Sequence, residues 1–261
     1  MKSYLKDRAI IEILGEDRKK FLQGLITNDV NKATDKNLIY SAMLSAQGRF
    51  LYDFFIYEIS EKLMIDCLAS RRDEILQKFN LYKLRSKVEI KKNDEIKVFQ
   101  DFSTGQFQDP RNTELGFRSY SLQEPISAEN TYHQKRIFLK IPESEHDLTY
   151  EKSLILEFGF DNLNAIDYQK GCYIGQELTS RTHYLGQIRK KIFHIKINAD
   201  QAPEKNSEIT CEGKPAGLIL SSVFFESECH ALSLIRISEE ENSEELLKNL
   251  EFNGHKIVII K

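Results

Sequence analysis

The feature that most restricts the fold of this chain is a set of short apolar segments separated by very short polar connections. Residues 39–44, 50–59 and 63–68 each have the apolar and aromatic composition of a strand. The connections Ser45–Arg49 and Ser60–Lys62 are short enough for hairpins. These three strands are therefore predicted to pair with their neighbours in antiparallel fashion.

Helical segments interrupt this series of strands. Residues 8–14 are predicted as a strand, and Gly15-Glu16-Asp17 then opens a helix whose apolar positions recur at one-turn spacing. A second amphipathic helix begins near Arg71, and residues 86–99 alternate around the polar turn 91–95, which indicates another hairpin. The order β-α-β-β-β-α-β-β predicts an α+β fold with largely antiparallel sheets rather than a doubly wound fold.

The C-terminal part of the chain has a different pattern. Short alternating segments such as residues 193–197 are separated by turn signals, and Asn253-Gly254 is typical of a type I′ hairpin. Only Ser243–Leu250 suggests a short helix. The sequence therefore predicts two domains, a region over 1–189 and a small antiparallel β-barrel over 190–261.

Composition excludes several classes of protein. The chain of 261 residues has 37 Lys and Arg against 40 Asp and Glu, and a nucleic-acid binder would normally carry a basic surplus. No apolar run approaches the roughly 18 residues that a membrane span needs.

The N-terminal apolar stretch is interrupted by Glu12 and is too short for a signal peptide. The predicted compartment is the bacterial cytosol, with the mature mitochondrial matrix as the alternative.

The cysteines contain neither a zinc ribbon pattern nor a disulfide framework. Cys67, Cys172, Cys211 and Cys229 are far apart and form no CxxC pair. Four reduced thiols are the expectation for a reducing compartment.

The segment with the clearest chemical potential surrounds Cys172. Two glycines bracket the cysteine within five residues, which allows a close-approaching backbone around the sulfur. Lys170, Arg181 and His183 supply positive charge nearby in sequence, and a helix opening at Gln176 would point its amide end towards the thiol. Each feature would favour the thiolate, the form that acts as a nucleophile or soft metal ligand. The alternative is that Cys172 is a small buried hydrophobe.

This segment resembles the K-G-C-[FY]-x-G-Q-E signature of the YgfZ family, folate-binding iron–sulfur assembly proteins related to the T-protein (aminomethyltransferase) of glycine cleavage. The resemblance extends over about residues 10–190 and includes the segments around Thr27-Asn28-Asp29, Gln47-Gly48-Arg49 and Asp109-Pro110-Arg111. The specified positions of the signature are all matched, by Lys170, Gly171, Cys172, Tyr173, Gly175, Gln176 and Glu177.

The resemblance implies a T-protein-like fold around a central channel for tetrahydrofolate, with the C-terminal barrel closing one side. It places Asp53 against the reacting folate nitrogen and Glu157 on the aminopyrimidine edge of the pterin, although Leu154–Leu156 lacks the family's proline. It also implies a basic residue before the barrel that assists the folate, for which Arg189 is the first choice and Arg181 the second.

The chemistry of folate agrees with these placements. Adjacent N–H donors of a pterin pair well with a carboxylate, and the glutamate tail of folate pairs with Arg or Lys. Each residue also has a structural alternative: Asp53 at a strand edge or capped by a neighbouring amide, Glu157 on a solvated helix face, and Arg189 in a solvated basic run.

The function predicted from the resemblance is that of a tetrahydrofolate-dependent accessory protein for assembly or repair of [4Fe–4S] clusters, with Cys172 as the essential residue. A single cysteine is too few for a stable cluster, so no permanently bound metal is predicted. The predicted partners are folate and iron–sulfur client or assembly proteins, with neither nucleic acid nor membrane. One alternative is an aminomethyl or one-carbon transferase that uses Asp53, which would make the chain an enzyme, and another is a folate-binding scaffold without chemistry.

Overall fold

We describe a computed structural model of the chain, over residues 2–123, 131–144, 146–186, 188–199, 201–237 and 247–260. The described chain divides into two compact units. The first contains the described residues up to Tyr132, together with Tyr150–Lys152 and Phe160–Ser180. The second contains His133–Thr149, Ser153–Gly159 and the described residues from Arg181 onward. The domain boundary at residue 189 stays a prediction.

The first unit is built from two antiparallel sheets. One has the strand order β3-β4-β5-β2-β6 and the other the order β1-β7-β9-β8. The helices of this unit are α1 Arg18–Gln23 and α2 Arg72–Lys83. The strands are β1 Lys2–Tyr4, β2 Arg8–Leu14, β3 Ile39–Leu44, β4 Phe50–Ile59, β5 Lys62–Leu68, β6 Glu89–Asn93, β7 Lys97–Asp101, β8 Phe107–Gln108 and β9 Phe117–Ser121.

The two faces of the five-stranded sheet have different chemistry. One face carries an apolar cluster in which Phe54 and Ile56 of β4 pack with residues of α1 and α2, such as Phe21 and Phe79. The other face carries Asp53 and its alternate neighbours, because successive side chains of a strand point to opposite sides. Asp53 therefore lies on the face away from the helices, which we call the polar face, whereas Glu58 of β4 ion-pairs with Arg18 and Lys19 on the side of α1.

The hairpin predicted over residues 86–99 is wrong. β6 pairs with β2, whereas β7 pairs with β1 and β9, so the two strands belong to different sheets. The carboxamide oxygen of Asn93 accepts hydrogen bonds from the backbone N–H groups of Glu95 and Ile96. This side-chain turn redirects the chain from one sheet to the other and takes the place of a hairpin turn.

The barrel predicted for the C-terminal region is confirmed. Its six strands close in the order β10-β13-β12-β11-β14-β15, with each neighbouring pair antiparallel. Asn253 and Gly254 both have positive φ, as a type I′ turn requires. Residues 243–246 of the predicted short helix lie outside the described residues, and its last residue, Leu250, belongs to a strand. The strands are β10 Lys190–Ile197, β11 Glu208–Cys211, β12 Lys214–Phe225, β13 Glu228–Arg236, β14 Leu250–Phe252 and β15 His255–Ile260.

Two further helices precede the barrel in sequence: α3 Tyr132–Phe138 and α4 Gln176–Leu185. Short 3₁₀ turns cover Val30–Lys32, Ala69–Arg71, Thr113–Leu115 and Ile155–Phe158. None of the helices in the described part of the chain has the length and hydrophobicity that a membrane crossing demands.

Candidate functional site

The lysine of the signature is an internal anchor. The Lys170 ammonium donates to three backbone carbonyls, those of Gln23 at 2.7 Å, Ile26 at 2.6 Å and Asn28 at 2.8 Å. These carbonyls end α1 and form the turn after it. Burial lowers the pKa of Lys170 to about 8, against the opposite effect of the carboxylates of Asp29 and Asp167. The ammonium of Lys170 therefore stabilises the turn after α1 through these three hydrogen bonds.

A second anchor lies on the other side of the cysteine. The Tyr173 ring is buried, and burial raises the pKa of Tyr173 to about 12. The backbone N–H of Ile174 donates to the carbonyl of Gly24 at 3.1 Å. The chain is therefore fixed to the end of α1 both before and after Cys172.

The thiol between these anchors is exposed. Cys172 is exposed, whereas Cys67 and Cys229 are buried and Cys211 is half-buried. Burial raises the pKa of the Cys67 thiol to about 12 and that of Cys229 above its ordinary value. The interpretation of Cys172 as a small buried hydrophobe is wrong, and its accessibility is what a reactive thiol requires.

The two glycines of the signature do different things. Gly171 is exposed, and a Cβ at this position would meet no atom within 4 Å. Gly175 has φ +83°, and a Cβ there would collide with the carbonyl oxygen of Ser45 and lie 2.8 Å from the Leu44 Cβ. Gly48, with φ +75°, makes the matching close approach to Leu178. A close backbone contact therefore occurs at Gly175, between the signature and the β3–β4 hairpin, and none occurs in the described chain at Gly171 next to the sulfur.

The Thr27-Asn28-Asp29 segment connects these parts. The Thr27 hydroxyl donates to the carbonyl of Ala165 at 2.7 Å, and the Asn28 carboxamide donates to the carbonyls of Tyr40 and Asn164, both at 2.8 Å. The signature thus contacts the 27–29 segment through Lys170 and the 47–49 turn through Gly175, and these three motifs together support the cysteine.

Asp53 lies on the polar face of the five-stranded sheet. It lies in the middle of β4 and is only 3% exposed, which is unusual for an acidic residue. Its Oδ2 accepts a hydrogen bond of 2.8 Å from the Tyr40 hydroxyl. Its Oδ1 is buried and has no hydrogen-bond partner among the described residues. The prediction that Asp53 needs a partner is thus met for one oxygen, and the other is left to accept a donor.

A buried ionic network occupies the same face. Asp66 bonds Arg8 at 2.7 Å and Arg118 at 2.8 Å, and Asp109 bonds Arg111 at 2.9 Å. Burial works against the charge of Arg8, but Asp66 and then Asp53 raise its pKa well above the ordinary value. With Asp53 the network contains formally three positive and three negative groups. The guanidinium carbons of Arg8, Arg111 and Arg118 lie 5.5, 4.7 and 3.6 Å from the centre of the Phe55 ring.

The second unit contains the other predicted folate residues. Glu157 is half-buried in the 3₁₀ turn Ile155–Phe158. Arg181 is exposed on α4. Arg189 is exposed directly before β10, and its carbonyl accepts from the Ile237 N–H at 2.9 Å. Their roles stay predictions.

Sequence reasoning assigned no role to Tyr40 or to the arginines of the network. A signal was present, because Asp66 interrupts the apolar run of β5 just as Asp53 interrupts β4, and buried carboxylates require partners. It also missed a histidine pair in the barrel, where His194 Nε2 and His230 Nδ1 lie 2.9 Å apart. No group of three or more His, Cys, Asp or Glu that could hold a metal ion occurs in the part of the chain that the structure describes.

The fold is that of the glycine-cleavage T-protein. The structure matches the aminomethyltransferase T of the glycine cleavage system from Bartonella henselae with a TM-score of 0.72 at 11% identity, over 99% of this chain and 84% of that protein. At this identity the match establishes the fold alone. No known family model matches the chain.

In sequence, the chain is similar to mitochondrial proteins named iron-sulfur cluster assembly factor IBA57. It is 33% identical over 245 residues to the homolog of Pyricularia oryzae, covering 81% of this chain and 62% of the relative. It is 28% identical over 258 residues to the protein of Mus musculus, covering 82% and 72%. It is 32% identical over 226 residues to the homolog of Neurospora crassa, covering 72% of this chain and 52% of the relative. The chain thus spans about half to two thirds of the fungal relatives.

Proposed function

We propose that this chain is an assembly factor for iron–sulfur clusters that acts through Cys172. The observation that carries the proposal is an exposed thiol on a backbone that Lys170 and Ile174 fix on either side. The similarity to proteins named iron-sulfur cluster assembly factor supports it. The fixed backbone presents one soft ligand to another molecule without a change in the fold.

The cluster is cargo in this proposal. Protein-bound clusters usually have four thiolate ligands, and this chain offers one exposed cysteine. Cys172 would therefore act transiently, as one ligand to iron, as a nucleophile towards sulfur or a one-carbon species, or as a redox thiol. The other ligands would come from an iron–sulfur client or assembly protein, the partner class that the relatives' names suggest.

The proposal includes reduced folate as a ligand of Asp53. The buried Oδ1 lacks a donor within the described chain, and the N–H groups of a reduced pterin are donors. Folate would supply one-carbon chemistry when bound, and Asp53 would hold and orient it. Glu157, Arg189 and Arg181 stay candidate folate residues of the second unit.

The similarity also bears on the compartment. The relatives are mitochondrial by name, which supports the mitochondrial alternative of the compartment prediction. The bacterial cytosol stays a prediction.

Complementation tests the role of Cys172. A strain that lacks its own factor of this type is given wild-type protein, Cys172→Ser or Cys211→Ser, and the activity of a [4Fe–4S] enzyme is measured. Cys211 is the matched control because it is a half-buried cysteine of the barrel. We expect restoration by wild type and Cys211→Ser and failure of Cys172→Ser. Equal restoration by Cys172→Ser would overturn the role of Cys172 and leave the scaffold function and one-carbon transfer.

A second candidate function is one-carbon transfer to folate, which the T-protein fold and the buried Asp53 favour. It predicts methylene-tetrahydrofolate formation from an aminomethylated donor, with loss in Asp53→Ala and retention in Cys172→Ser. The test is a turnover assay with tetrahydrofolate and the donor. No turnover by wild-type protein removes this candidate and leaves the assembly function in place.

A further inference from the structure

The two oxygens of Asp53 have different surroundings. Oδ2 accepts the Tyr40 hydroxyl at 2.8 Å, and Oδ1 has no hydrogen-bond partner among the described residues. The carboxylate is 3% exposed, so bulk water does little to satisfy Oδ1. Oδ1 is therefore the oxygen of Asp53 that no donor of the described chain reaches.

The strand register explains how Tyr40 reaches Asp53. Tyr40 of β3 lies opposite Phe55 of β4, and Asp53 lies opposite Ala42. Directly opposite residues of an antiparallel pair share a face, as do residues two apart on one strand. Tyr40 and Asp53 are thus diagonal neighbours on the polar face, and the long tyrosine side chain spans the diagonal.

The Tyr40 ring is held from several sides. It is fully buried and lies 4.9 Å from the Phe55 ring and 5.5 Å from the Phe160 ring, centre to centre. The Arg111 guanidinium carbon lies 5.4 Å from its centre. Because these neighbours are themselves buried, the hydroxyl has little freedom to turn away from Asp53.

Arg111 is in turn fixed by the ionic network. Its guanidinium bonds the Asp109 carboxylate at 2.9 Å and the Tyr132 hydroxyl at 2.6 Å. The order of contacts is therefore Asp109 to Arg111, Arg111 to the Tyr40 ring, and the Tyr40 hydroxyl to Asp53. The network thus reaches the carboxylate through a tyrosine, although no arginine hydrogen-bonds to Asp53 in the described chain.

We propose that Tyr40 is a positioning residue for Asp53, whose hydroxyl occupies Oδ2 and leaves Oδ1 to accept one N–H donor of reduced folate. The inference rests on the proposed folate binding by Asp53. Tyr40 fixes the direction of the carboxylate, and its hydroxyl takes one of the acceptor sites of Oδ2, whereas Oδ1 has no donor among the described residues. The ligand class is an N–H donor directed at Oδ1.

The test is a double-mutant cycle on the Kd of tetrahydrofolate, measured by anaerobic calorimetry. The variants are Tyr40→Phe, Asp53→Ala and the double variant. Tyr57→Phe is the matched control, since Tyr57 is buried on the same face of β4 and loses the same atom. Urea unfolding curves accompany every variant.

We expect Asp53→Ala to raise the Kd about 10- to 100-fold and Tyr40→Phe about 3- to 10-fold, because hydrogen bonds to a charged acceptor are involved. Tyr57→Phe should change the Kd less than about twofold. In the Asp53→Ala background, Tyr40→Phe should also change it less than about twofold, because coupled residues are non-additive. A residue that only stabilises the fold would not show this dependence on Asp53.

The outcomes separate the two proposals. No binding of tetrahydrofolate to wild-type protein overturns folate binding, and the role of Tyr40 with it. Binding by wild type with Tyr40→Phe equal to Tyr57→Phe overturns the positioning role alone. An equal loss from Tyr40→Phe with and without Asp53 assigns Tyr40 to packing, as does a Tyr40→Phe protein that does not fold.

Discussion

Gly175→Ala should destabilise the first unit strongly, although it adds one methyl group. A non-glycine residue at φ +83° costs about 1–2 kcal/mol. The added Cβ would also collide with the Ser45 carbonyl and lie 2.8 Å from the Leu44 Cβ, and overpacking of this kind costs about 1–3 kcal/mol. The two effects together predict a loss of about 2–5 kcal/mol in the free energy of unfolding, a large part of the roughly 5–15 kcal/mol typical of a domain.

The matched control is Gly171→Ala in the same signature. A Cβ at Gly171 would meet nothing within 4 Å, and its φ lies outside the left-handed region. We expect Gly171→Ala to stay within about 0.5 kcal/mol of the wild type, as surface substitutions usually do.

Urea unfolding followed by far-ultraviolet circular dichroism measures both variants, with the free energy obtained by linear extrapolation. If two transitions occur, the one that belongs to the first unit should shift. A Gly175→Ala protein as stable as the wild type would refute the close contact with the hairpin. Equal destabilisation by Gly171→Ala would show that the signature needs both glycines for another reason.

Three further substitutions or labels test other parts of the structure. Lys170→Met should lower the free energy of unfolding by about 2–4 kcal/mol, because three carbonyls lose a charged donor, whereas Lys152→Met on the surface should have little effect in the same urea assay. N-ethylmaleimide should label native Cys172 before Cys67, whose pKa burial raises to about 12; mass spectrometry showing the reverse order would contradict the structure. Burial lowers the pKa of His194 to about 4, so unfolding takes up a proton between about pH 6.5 and 4 and stability falls as the pH falls through this window. His194→Gln should reduce that slope in urea titrations, and an unchanged slope would contradict this assignment.

The strands of the first unit were predictable because their sequence pattern is local. β3 and β4 have the predicted bounds, and β5 begins one residue earlier than predicted. The first helix is shorter than its apolar pattern, since α1 ends at Gln23 and Leu25 and Ile26 pack into the core from the turn beyond it. Apolar spacing reports burial of a side chain, and it does not by itself report helical backbone.

The pairing of β6 and β7 was not predictable from their own residues. A polar turn between two alternating segments is compatible with a hairpin, and equally with a change of sheet. The pairing is decided by which strand edges are available. β6 pairs with the edge of β2, and β7 lies between β1 and β9 in the other sheet. These edges are formed by residues far away in the sequence, so only the assembled sheets reveal the choice.

In the candidate site, too, the sequence revealed the locally unusual residues but not their contacts with distant segments. The sequence pointed to Cys172 and Asp53 individually, because a cysteine between glycines and a carboxylate within an apolar strand are locally unusual. It did not reveal that Lys170 bonds carbonyls after α1, or that Tyr40 bonds Asp53. Both contacts join residues of different segments, and the identity of a partner across strands depends on register.

The structure also changes what the signature means physically. Lys170 and Tyr173 are engaged with the interior, and Gly175 is required by the contact with the hairpin, so these positions account for the backbone path. Cys172 alone combines an exposed side chain with chemical reactivity towards soft metals and sulfur. Most positions of the signature thus serve to fix the backbone around Cys172, which an inert surface residue would not require. The arrangement is understandable if the fold holds one thiol in a fixed place for another molecule to reach.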